Sequence, residues 1–87
     1  MIRKHKSYDI GTLLAKNDPY ASWLRDNCTE ILGVIVDKKQ MRYDMAFESY
    51  EYHYVIQWEG EAKLDYLDTK VLKAHIKSGF IKVLSEG

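Results

Sequence analysis

The 87-residue sequence has one cysteine, one proline, five glycines, no net charge and no long apolar run. Cys28 stands alone, which excludes an internal disulfide and a cysteine-based zinc site. No stretch approaches the roughly 20 apolar residues that cross a bilayer. The start, Met1-Ile2-Arg3-Lys4-His5-Lys6, is basic, but no apolar segment follows, so it does not read as a secretory signal. Thirteen Lys+Arg balance thirteen Asp+Glu, whereas a general nucleic-acid binder is expected to be strongly basic. There is no repeat, low-complexity tract or Gly/Ser linker. The expected organisation is therefore a single domain over residues 1–87, with 1–7 as a basic N-terminal arm. These features suit a small soluble protein of a reducing compartment, the cytoplasm or a virion.

What the sequence does have is aromatic mass. A chain this short buries only about 60–65% of the surface it exposes when unfolded. Seven Tyr, two Trp and two Phe supply large apolar surfaces to a thin core. Residues 8–14 alternate enough for a strand. Asp18 and Pro19 form a helix start, and Tyr20, Trp23 and Leu24 make one apolar face, which predicts a short helix over about 19–27. Residues 31–36 are β-branched and apolar, with Gly33 marking a bulge or a close approach. The clearest strand is 50–58: Tyr52, Tyr54, Ile56 and Trp58 fall on one face, Glu51, His53, Val55 and Gln57 on the other. Glu59-Gly60-Glu61 turns the chain into a strand over 62–67. Asp68 then caps a second helix over about 69–78, Gly79 ends it, and 80–84 is the last strand. Five short strands in so compact a chain favour a closed barrel, because closure removes exposed edges.

Tyr54-Val55-Ile56-Gln57-Trp58, after Gly33-Val34-Ile35-Val36 and before a helix and Lys82-Val83-Leu84, resembles the SH3-like barrels of the KOW, Tudor and chromo type. The layout is also similar to small accessory proteins of T4-type tailed phages. The resemblance spans about residues 8–84. It implies a mainly β, five-stranded SH3-like barrel with two short helices, and says almost nothing of function. In chromo-like and Tudor-like modules a residue placed like Trp58 forms one wall of an aromatic cage. Tyr54 or Tyr66 would stand beside it and hold a cation. Alternation instead puts Tyr54 and Trp58 on the core face.

Enzymatic chemistry finds no support in the residues. His5, His53 and His75 are far apart, and the carboxylates around residues 59–68 have no base or nucleophile at a working spacing. The sequence has neither a nucleophile elbow nor a phosphate-binding glycine loop. A non-enzymatic domain without cofactor or metal is expected.

Charge placement says more than net charge. Residues 43–62 hold five acids (Asp44, Glu48, Glu51, Glu59, Glu61) and no Lys or Arg, whereas 69–85 hold four lysines and no acid. Lys70, Lys73 and Lys77 share one helical stripe. The plain reading is a solvated face; the functional one is a site for an acidic partner, a phosphate backbone or the acidic segment of a second copy. Met41, Tyr43, Met45 and Phe47 alternate with polar or small residues between two strands. They either cover an open barrel end or project outward as a docking patch, joined by Tyr50. The expected function is a protein-interaction module, a phage-encoded accessory protein binding a host or virion protein. The alternative is a nucleic-acid binder using Arg3, Lys4, Lys6, Lys70, Lys73 and Lys77. Charge segregation also predicts a homo-oligomer. No membrane partner is expected.

Overall fold

The structure, a computed structural model, describes residues 7–19 and 29–87. In chain order these form β1 (Leu13–Asn17), β2 (Glu30–Asp44), β3 (Ser49–Trp58), β4 (Asp65–Asp68), α1 (Thr69–Ser78) and β5 (Ile81–Ser85). Beyond Pro19, the helix expected over about 19–27, with Cys28 after it, lies outside the described residues. The five strands make one antiparallel sheet in the order β4-β3-β2-β1-β5.

The expected barrel is not closed. β4 and β5 lie at opposite edges of the sheet, and α1 joins them. β4 is only four residues long and the helix begins at the next residue, so the chain crosses as a helix rather than as a strand. Local chemistry fixes that switch. The Asp68 carboxylate accepts the Val71 N–H at 2.8 Å, and Gly79, at φ 84°, supplies the left-handed C-terminal residue. Thr69, 4% exposed, accepts the Tyr52 N–H at 2.8 Å and donates to the Tyr52 carbonyl at 3.2 Å. Its hydroxyl thereby replaces a strand's backbone where β4 ends.

One buried cluster unites Leu14, Ile31, Ile35, Tyr54, Ile56, Trp58, Leu72 and Ile81. Alternation along β3 sends Tyr54, Ile56 and Trp58 inward, and Leu72 of α1 closes over them. Gly33 pairs with Trp58, and a Cβ at Gly33 would lie 2.7 and 2.9 Å from Trp58 ring carbons. The glycine is what admits the indole. The indole N–H donates to Asp65 at 3.0 Å, and the Lys16 ammonium lies 4.6 Å from the ring centroid while pairing with Glu61. Every part of Trp58 is therefore occupied.

Three strands differ from the sequence reading by more than a residue. β1 starts at Leu13 rather than at residue 8, because the chain turns at Ile10-Gly11, where Gly11 has φ 96° and the Thr12 N–H donates to the Asp9 carbonyl. β4 starts at Asp65, after bends that replace the expected strand at 62–64. β2 runs well past Val36 to Asp44, paired with β3 throughout, but its register shifts between Ile35 and Asp37 and again between Gln40 and Tyr43. Each shift is a bulge that adds one residue to β2 and inverts its facing pattern. At about 3.3 Å per residue, the 15 residues of β2 span the 45 Å long axis of the molecule.

Candidate interaction surface on the β2–β3 hairpin

The distal half of this hairpin has strand partners but little core, so its side chains reach solvent. Met41, Tyr43, Met45 and Tyr50 are 49, 45, 79 and 43% exposed. Of the expected patch, only Phe47 is half-buried. The four turn residues between β2 and β3 are held by Asp44: its carboxylate accepts the Ala46 N–H at 3.0 Å and its carbonyl the Phe47 N–H at 3.2 Å. Glu48 leaves the turn at φ 49°, a left-handed conformation usually left to glycine.

The second bulge sets Tyr43 directly opposite Tyr50, with ring centroids 5.1 Å apart at 78°, an edge-to-face pair. Met41, Tyr43, Met45 and Phe47 line three grooves rather than one. Met41 lines a groove of about 530 Å³ with Gln40, Arg42, Glu51, His53 and Asp68. Tyr43 and Met45 line a second, of about 200 Å³, with Arg42, Asp44, Glu51 and Lys70. Phe47 lines a third, of about 250 Å³, against Lys70, Lys73, Ala74 and Lys77 of α1.

Glu51 lines the first two grooves. Its side chain is 12% exposed and lies 3.0 Å from the Arg42 guanidinium and 3.3 Å from the Lys70 ammonium. The Arg42 hydrogen bond holds the Glu51 carboxyl below its ordinary range; burial opposes this, and Lys70 reinforces it. Arg42 and Glu51 thus tie the arm to itself, and Lys70 ties it to α1. Further along, the Lys73 ammonium sits 4.6 Å from the Phe47 ring centroid.

The lysines of the expected stripe, Lys70, Lys73 and Lys77, are all exposed. Arg3, Lys4 and Lys6, expected to join them, lie outside the described residues. The three cage residues do not come together. Tyr54 and Trp58 are 1 and 0% exposed, while Tyr66, 66% exposed, pairs with Val55 and so faces away from Tyr54. The Tyr54 hydroxyl oxygen accepts the Tyr8 N–H at 3.2 Å, a structural task. Among the described residues no three His, Cys, Asp or Glu cluster at metal-binding range.

Sequence reasoning overlooked Ala74 and the Arg42–Glu51 pair. A helical wheel places Ala74 about 40° from Lys70, at the edge of the lysine stripe, so its place beside the lysines was readable. Arg42 was hidden because it lies, with Met41, inside the second register shift, where two residues of β2 oppose Glu51. No family model, curated protein or solved structure matches this chain. No helix among the described residues is long and apolar enough to cross a membrane.

Proposed function

We propose that the chain is a non-enzymatic protein-interaction module whose docking element is the distal β2–β3 hairpin. One observation carries this reading: Met41, Tyr43, Met45 and Tyr50 remain 43–79% exposed on an arm held in register by backbone hydrogen bonds. Aromatic and Met side chains on a rigid support lose little entropy on binding and can supply most of an interface's energy. The acids beside them, Asp44 and Glu48, then select among partners by charge. The SH3-like kinship belongs to the same reading. What supports it is a four-strand meander whose fifth strand returns beside the first, with a helix just before it. The likeness to phage accessory proteins makes a host or virion protein the partner class to screen first.

The test is the paired substitution Tyr43→Ala/Met45→Ala. Affinity capture from host lysate, read by mass spectrometry, should lose the partners that the wild-type chain retains. The melting temperature should fall by only about 2–12 °C, since the lost ring pair is worth about 0.5–1.5 kcal/mol. Undiminished capture by the double variant would refute the reading, and so would a collapse in stability. Salt separates this function from nucleic-acid binding: phosphate contacts weaken steeply as salt rises, apolar contacts hardly at all.

A further inference from the structure

The groove between Phe47 and α1 contains more than a solvated lysine stripe needs. A stripe facing water has no use for an aromatic ring brought from a turn more than twenty residues away, yet Phe47 lies against Lys70, Lys73, Ala74 and Lys77. Phe47, Ala74 and the three lysines line a largely apolar trough, with the Lys73 ammonium over the Phe47 ring. Its volume, about 250 Å³, is below the roughly 300–1,000 Å³ of cofactor and small-molecule pockets. It suits one large side chain.

We propose that this trough receives an acidic peptide segment anchored by a single apolar side chain. The inference rests on the protein-interaction reading above and specifies the partner's chemistry. Charge complementarity carries it. Among the described residues no carboxylate pairs with Lys73 or Lys77; Lys70 pairs with Glu51, and the Lys73 ammonium lies over the Phe47 ring. An incoming acidic segment gives these cations their missing partners while its apolar residue enters the trough. A nucleic acid fits less well. Base stacking needs an open ring face, and Phe47 is half-buried with the Lys73 ammonium over it.

Fluorescence anisotropy with three labelled octamers tests this: an acidic peptide of Glu and Asp around a central Leu-Phe, its Gln/Asn counterpart, and oligo(dT). The acidic peptide should bind the wild-type chain, and weaken with salt. Lys73→Glu/Lys77→Glu, on an exposed helix face, should weaken it about tenfold or more, two reversed rim charges each being worth up to about 1 kcal/mol. Phe47→Ala should weaken it with its salt dependence intact, and the Gln/Asn peptide should bind poorly. Circular dichroism verifies that each variant is folded, and Lys73→Gln/Lys77→Gln should show an intermediate loss. The proposal is overturned if the acidic peptide does not bind, or if the charge-reversed variant binds it undiminished. Equal binding of the Gln/Asn peptide overturns it too, as does tighter binding of oligo(dT). Self-association abolished by Lys73→Glu/Lys77→Glu would give the trough to a second copy and reject the peptide assignment. The Tyr43→Ala/Met45→Ala variant should bind the acidic peptide normally. Failure of the peptide with partner capture intact therefore rejects this inference alone, whereas peptide binding without hairpin-dependent capture rejects the hairpin reading.

Discussion

Gly33→Ala replaces one hydrogen by a methyl at the most crowded point of the core. The new carbon would lie within 3.0 Å of the Trp58 ring, where carbon atoms normally rest about 3.5–4.0 Å apart. The indole has nowhere to retreat. It is fully buried, its N–H is held by Asp65 at 3.0 Å, and Lys16 covers its face. Overpacking of this kind costs about 1–3 kcal/mol. Loss of glycine's freedom in the unfolded chain returns about 0.4–1 kcal/mol. The net expectation is a destabilisation of about 1–2 kcal/mol, which for a domain of this size lowers Tm by about 5–15 °C. Urea and thermal unfolding followed by far-ultraviolet circular dichroism measure it. A second substitution isolates the cause: Trp58→Phe alone should destabilise, but Gly33→Ala should cost much less in that background, a coupling of about 0.5–3 kcal/mol. An alanine variant as stable as wild type, or strictly additive changes, would refute the reasoning.

Three further outcomes are expected. Thr69→Val leaves the Tyr52 N–H and carbonyl without their buried partner and should cost about 1–3 kcal/mol in urea unfolding, with Thr69→Ser retaining most of it. Glu48→Gly relieves a left-handed backbone and should stabilise by about 0.5–1 kcal/mol, read as a higher Tm. The Glu51 carboxyl is held below its unfolded value of about 4.3 chiefly by Arg42, so its stabilising contribution is complete above that pH and is lost as pH falls through the lower folded value. The Tm gap between wild type and Glu51→Gln should accordingly narrow on acidification below about pH 4; a gap independent of pH would contradict the ion pairs with Arg42 and Lys70.

The elements that were legible are those with local signals. Asp68 and Gly79 bracket α1 at the residues the sequence indicated, because a cap and a left-handed glycine act within a single turn. Tyr50 to Trp58 declared itself by strict alternation, and Gly33 by its place inside an apolar strand. β2 was read too short because each bulge breaks the two-residue period, and beyond the first one Asp37, Lys38, Lys39 and Gln40 offer no apolar face to detect. The open sheet was equally hidden. Five strands suggest closure, and only the tertiary path of α1 between the two edges shows why closure does not follow. The Met-aromatic segment was recognised as unusual, but its division among three grooves depends on the register shift between Gln40 and Tyr43 and on Phe47 reaching α1. Neither follows from spacing.

Because the distal arm rests on paired backbone rather than on packed interior, and meets α1 through Glu51 and Phe47, its reach is set apart from the buried core. Taking one residue from each strand beside the 45–48 turn, or adding one to each, would exchange the faces of the tip; taking or adding two would keep them. Length can therefore be altered in such steps without disturbing Trp58 or its neighbours. A scaffold of this kind can vary the distance at which it grips something while leaving its own folding untouched.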